Sequence, residues 1–269
     1  MRFQIRTVAG LACGLALAAN SNAQSTDPAE PFLGVWSGVF TTQDNPYWQI
    51  EDYVCFPGCP DAVRNHLTSL LDDPANDEVP VDGLLGMAWG YAAEHLATML
   101  TPRGQQIQAA NLGPNDPKLR CEPYGFVREV TNPLPMAIYR QGDRLVIRYE
   151  EWSLLRFIHL DGSERPEHET HSLLGYSVGR FENGELVVET SGVNPGWISD
   201  FSRGGHSGSL AATERYRVLS DPHRLELELT LRDPEILTEP YQIRKTWLST
   251  PDVELVQDRC AELPGTILD

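Results

Sequence analysis

Lysine is nearly absent: Lys118 and Lys245 stand alone against many arginines, and acids outnumber bases to give a formal charge of −17. So acidic a surface disfavours nucleic acid and anionic membrane as partners, because both present negative charge. It suits a soluble protein with a neutral or apolar ligand, and it serves general solubility equally well. Motifs for cofactor chemistry are missing too. There is no Gly-x-Gly-x-x-Gly between a strand and a helix, no Walker loop, no His-Glu-x-x-His and no haem-attachment motif. No Gly-x-Ser-x-Gly turn presents a nucleophilic serine. The longest apolar run, Leu11 to Ala19, is too short to span a membrane. A binder, or an enzyme working without a cofactor, is what remains.

That apolar run belongs to an export signal. Arg2 and Arg6 precede it, and Ser21-Asn22-Ala23 offers small residues for cleavage, so residues 1 to 23 are expected to be removed and the protein to be periplasmic or secreted. The leader carries two arginines and no acid, so the mature chain is more acidic still. Cys55, Cys59, Cys121 and Cys260 then remain, an even number in an exported chain, which predicts two disulfides. Of the three pairings, Cys55–Cys59 across the Phe-Pro-Gly loop with Cys121–Cys260 is favoured. A zinc site at Cys55 and Cys59 lacks a second ligand pair at the usual spacing.

Along the mature chain, residues 24 to 269 read as one domain. Phe32 to Phe40 is a first strand. Residues 45 to 111 form a helical insertion, with helices predicted over Asp61 to Leu71, Leu84 to Leu100 and Arg103 to Asn111. This block is expected to act as a lid over a barrel mouth. From Asp116 onward the pattern is β. Strands are predicted over Met136 to Gln141 and Arg144 to Tyr149 around Gly142-Asp143, over Trp152 to Leu160, and over Leu174 to Arg180 and Glu185 to Ser191 around Asn183-Gly184. Ala212 to Val218, Arg224 to Arg232, Tyr241 to Leu248 and a short Val253 to Gln257 follow. Leu225, Leu227, Leu229 and Leu231 alternate with polar residues. Nine or ten antiparallel strands at meander spacing predict a mainly β fold: an antiparallel lipocalin-like β-barrel with a helical insertion.

Gly179 to Thr190, reading GRFENGELVVET, resembles the GRWEGDTLVVET core of a set of secreted bacterial lipocalin-like proteins. Asp161-Gly162, Gly175-Tyr176-Ser177, His206-Ser207, Glu214-Arg215, Arg156, Cys121 and Cys260 fit the same pattern, over roughly residues 115 to 262. The Cys55/Cys59 loop and the helical block depart from it. The set is also similar to exported, cofactor-free hydrolases that cleave β-aryl ethers of lignin-derived aromatics. That likeness implies ether hydrolysis on a small aromatic substrate.

Such chemistry needs an acid for the departing phenolate, a carboxylate to direct water, and donors for the developing oxyanion. Glu189 or Glu150 is assigned to the water, His206 to proton transfer, and Arg156, Arg180 and Tyr176 to the oxygen. Trp152, Trp197 and Asp200 are assigned to substrate binding, an indole serving as a stacking surface. If the strand up to Leu160 is unbulged, Glu150, Trp152, Arg156 and Ile158 share a face. An Arg–Glu pair in the barrel wall is the structural alternative for Arg156. His168-Glu169-Thr170-His171 is read as a solvated loop rather than a metal site, and Ser207 as a cap rather than a nucleophile. No cofactor or metal is expected, and the oligomeric state is left open. A non-catalytic carrier of a hydrophobic small molecule is the alternative function, and an isomerase or dehydratase in the same barrel is another.

Overall fold

The computed structural model describes residues 27–38, 58–111, 113–167, 169–199, 202–220 and 223–257. The leader, Cys55, Cys260, His168 and Asp200 lie outside the described residues, and so do the cysteine pairing and the substrate-binding role given to Asp200. Cys59 and Cys121 are each disulfide-bonded.

Among the described residues nine strands close into a barrel: β1 (Gly34–Gly38), β2 (Met136–Gln141), β3 (Arg144–Tyr149), β4 (Leu155–His159), β5 (Tyr176–Glu182), β6 (Glu185–Ser191), β9 (Ala211–Ser220), β10 (His223–Arg232) and β11 (Tyr241–Ser249). Two short strands, β7 (Gly196–Trp197) and β8 (Gly205–His206), pair with each other between β6 and β9. The barrel is lipocalin-like and mainly β, as the alternation predicts. Leu225, Leu227, Leu229 and Leu231 point inward at 0–1% exposure, each contributing about 1.5–3 kcal/mol by leaving water. Their alternating partners stay outside, where Glu228 meets Arg217 of β9 and Arg244 of β11, and Glu226 meets Arg224 of its own strand. Residues 253–257 form no strand.

One pairing departs from the antiparallel expectation. β4 and β5 run parallel, paired in the ladder only at Ile158–Ser177 and His159–Val178. A parallel return needs a crossover of about a dozen residues or more, and the polar stretch 160–175 is long enough to supply it. Gly179 lets the strands close up there, since a Cβ on it would lie 2.6 Å from Ile158 Cγ2. The wall is therefore least zipped at this seam.

The helical block comprises α1 (Asp61–Leu71), α2 (Val81–Ala97) and α3 (Pro102–Ala110). α1 and α2 share a small core of their own around Val63, Leu67, Leu85 and Ala88. Both ends of the block are hydrogen-bonded to the barrel. Cys59 exchanges main-chain bonds with Arg244 of β11, and Thr101 N–H donates to Ile236 O after β10. Gln108 of α3 donates to Ser202 O, so the block lies over the β7–β8 loop as well. A further short helix, α4 (Phe126–Val130), is wholly buried and packs into the same core as the β10 leucines, closing the lumen.

Candidate functional site

The lumen holds a polar cluster at its centre. The register sets Ser177 beside Thr190, and Thr190 beside Ala212, whose inward neighbour along β9 is Glu214. Arg156 reaches this group from β4. Its Nη2 and Nη1 donate to Glu214 Oε1 at 2.5 Å and Oε2 at 2.7 Å, and it also donates to Ser177 Oγ and Thr190 Oγ1. Tyr216 OH donates to Glu214 at 2.7 Å, and Phe126 lies 5.1 Å from the guanidinium. Arg156 is 2% exposed and Glu214 fully buried. Burial is the largest single influence on Arg156 and favours proton loss, but the charge and hydrogen bonds of Glu214, together with the Tyr149 and Tyr216 hydroxyls, outweigh it and hold the guanidinium well above its ordinary pKa. Burial likewise pushes the Tyr149 and Tyr216 hydroxyls upward. Both carboxylate oxygens accept hydrogen bonds, so this is an internal ion pair that ties β4, β5, β6 and β9 together. Arg156 does not meet Glu189 or Glu150.

Those two glutamates, with Arg180, are corrections. Glu189 and Arg180 sit on the outer face, about half exposed, where Arg180 bonds Glu182 at 2.5 Å and approaches Glu189 to 3.8 Å. Tyr176 and Arg180 do share a face, but it is the outer one, because Ser177, Gly179 and Phe181 take the inner. Glu150 accepts from the main-chain N–H of Val256 away from the lumen. The strand through Trp152 is broken. Residues 151–153 form a tight turn with Trp152 at φ 57° and Ser153 at φ 51°, so Glu150 and Trp152 lose the assumed parity with Arg156. Trp152 instead meets the Tyr124 ring edge-on at 6.1 Å, beside a buried cluster in which Tyr124 and Asn132 bond Glu151.

His206 is also displaced from its expected role. It lies on β8 and is 2% exposed. Its Nδ1 is 3.2 Å from the Ser207 carbonyl, which can only accept, so Nδ1 carries the proton. Burial lowers the imidazole pKa below its ordinary 6.5. Ser207 donates its hydroxyl and N–H to Asp233, fixing the loop and leaving no Ser–His contact for nucleophilic attack. Trp197, on β7, lies under the Arg128 guanidinium at 5.6 Å, and its main-chain N–H donates to Tyr124 O. A stability effect follows. The folded pKa is depressed, so below about pH 6.5 the unfolded chain takes up a proton that the fold refuses. His206 stabilisation is full above that pH and falls as the pH drops toward the folded value. Urea melts at pH 7.5, 6 and 5 are expected to show a shallower loss in His206→Gln than in the parent. Equal slopes would assign the acid sensitivity elsewhere.

Tyr176, one of the residues singled out for the oxygen, lines a large hollow. Beside the parallel seam, on the outer wall, lies a cleft of about 530 Å³. Leu154, Leu155, Phe157, Leu173 and Leu174 supply its apolar lining, and His159, Glu169, Ser172 and Tyr176 its polar groups. Leu155 is 48% and Phe157 39% exposed, unusual for side chains of that size on a sheet. The His159 and Tyr176 rings stack at 4.5 Å and 16°. Tyr176 OH pairs with Ser163 Oγ at 2.9 Å, which places the phenol between this cleft and a second hollow of about 330 Å³ lined by Ser163, Glu164, Arg165 and Glu189. The parity of β4 carried the missing signal: Leu155, Phe157 and His159 alternate with the inward Arg156 and Ile158. Among the described residues no group of three or more metal-ligating side chains comes together. Compared with family models, with curated proteins and with solved structures, the chain matches none.

Proposed function

We propose that the chain binds a small, flat, apolar molecule in the cleft at Tyr176, on the outside of its barrel. The observation that carries this is the hollow itself: about 530 Å³, five apolar side chains, and a few polar groups, at the one parallel seam of the wall. That size and lining suit a small-molecule site, where apolar surface gives affinity and sparse polar groups give orientation. In the lumen the Arg156–Glu214 pair is already satisfied, and Tyr149, Tyr216 and the β10 leucines are buried in one core. Export to the periplasm or beyond is inferred from residues 1 to 23, and kinship with the secreted lipocalin-like set from residues 115 to 262.

Titration with N-phenyl-1-naphthylamine, a neutral aromatic that brightens when it leaves water, is expected to saturate. Phe157→Ala and Tyr176→Ala are each expected to weaken it about tenfold, one aromatic contact being worth about 1.4 kcal/mol. Unsaturable binding, or variants that bind like the parent, would remove the site.

Hydrolysis of an aryl ether is the second reading. It is favoured by one fact: an imidazole, a carboxylate and a phenol, those of His159, Glu169 and Tyr176, line the same apolar cleft. In this reading His159 protonates the departing phenolate oxygen and Glu169 directs water. Phenol release from an aryl-ether dimer, lost in His159→Gln, supports it. Binding of the dimer without release leaves the carrier reading alone.

A further inference from the structure

Resting on the cleft reading, we infer that the molecule held there is a flat aromatic lactam, paired through its N–H and C=O with the open edge of β4. Each main-chain N–H and C=O of a strand needs a partner, in the protein or in water. Across β3 and β4, Tyr149 N–H donates to Leu154 O and Leu160 N–H to Asp143 O. Antiparallel bonds fall on alternate residues, so Leu154, Arg156, Ile158 and Leu160 turn their main chain toward β3. Leu155, Phe157 and His159 turn theirs toward β5, where the ladder starts only at Ile158–Ser177. Leu155 N–H, Leu155 C=O and Phe157 N–H come before it, and among the described residues no main-chain group bonds them. They make a row of donor, acceptor and donor along one strand edge.

The cleft opens on this row. Its lining takes in Leu154, which shares the parity of the inward Arg156, as well as Leu155 and Phe157 of the outward parity, with Leu173 to Tyr176 across the gap. It cuts into the plane of the wall at the place where β4 and β5 part. A hydrocarbon seated there would cover the row and cut it off from water without replacing the lost hydrogen bonds, which is costly. An open strand edge is matched instead by amide groups, as when a peptide adds a strand. The row is too short for a strand, since the turn at 151–153 ends it on one side and the β5 ladder on the other. One lactam edge fits it. The ring N–H donates to Leu155 O, the lactam oxygen accepts from Leu155 N–H or Phe157 N–H, and the aromatic faces meet the leucines and Phe157.

2-Quinolinone and coumarin have one shape and differ by a ring N–H against a ring oxygen, so a pair of calorimetric titrations separates the hydrogen bond from the apolar contact. The lactam is expected to bind about tenfold tighter, because the coumarin ring oxygen would face Leu155 O with no proton between them. The test needs no variant and so cannot fail through misfolding. Amide-proton NMR locates the contact: the Leu155 or the Phe157 amide is expected to move downfield as the lactam saturates. Coumarin binding as tightly as the lactam, or both amides unmoved at saturation, overturns the inference and leaves the apolar site standing. If neither compound binds, the cleft reading fails and the inference with it.

Discussion

Replacing Glu214 by leucine is expected to destabilise the protein by about 3–5 kcal/mol, because it strands a charge rather than merely deleting a contact. Arg156, 2% exposed, loses its ionic partner yet keeps its proton, and neutral groups alone, the Ser177 and Thr190 hydroxyls chief among them, remain to solvate it. Arg156→Met strands the carboxylate in the same way. The double variant Arg156→Met with Glu214→Leu leaves neither charge, and is expected to recover most of the loss, since well-packed apolar groups often match a buried pair. Urea denaturation of the four proteins gives the coupling directly. If each single costs under about 1 kcal/mol, the pair is not the internal tie described. The outer cleft is on the other side of the wall, so the folded fraction of each variant is expected to keep its naphthylamine affinity.

Trp247→Ala is expected to cost a similar amount, about 3–5 kcal/mol, by a different route. The indole is fully buried in the central core and its Nε1 donates to Asn132 O at 3.0 Å. It thus joins β11 to the segment that follows α4, whose main chain also accepts from Gly38 N–H of β1 through Pro133 O. Removing the ring opens a cavity and orphans a buried carbonyl. Trp247→Phe keeps most of the volume and is expected to lose only about 1–2 kcal/mol, largely the hydrogen bond. Thermal melts distinguish the two, and an equal cost for Phe and Ala would place the stabilisation in the bond rather than the packing.

Local chemistry made much of the barrel legible. Asn183-Gly184 sets the β5–β6 hairpin, with Asn183 and Gly184 both at positive φ as such a turn demands. The leucines of β10 declare their face, and the spacing of Val63 and Leu67 declares α1. What escaped was nonlocal. Nothing periodic in 160–175 says that the chain crosses over and returns parallel to β4. Arg156 and Glu214 are far apart in sequence, and their meeting depends on the order of β4, β5, β6 and β9. The alternation of β5 and β6 relates Arg180 and Glu189 to their neighbours correctly, but which face looks inward is set by the closed barrel. There, Gly179 is pressed against Ile158 and only the opposite parity fits. Trp152 and Ser153 reach positive φ without glycine, so no turn residue marked the break that separates Glu150 from Arg156.

The central claim is that ligand sits outside the barrel at the parallel seam and that the lumen is structural. Leucine methyl NMR on the protein titrated with 2-(2-naphthyl)ethanol tests it most directly, because leucines mark both places. Methyls of Leu154, Leu155, Leu173 and Leu174 are expected to shift together and saturate, while those of Leu225, Leu227, Leu229 and Leu231 stay still. Saturable shifts in the β10 leucines, with the cleft silent, would contradict the account and return the ligand to the lumen.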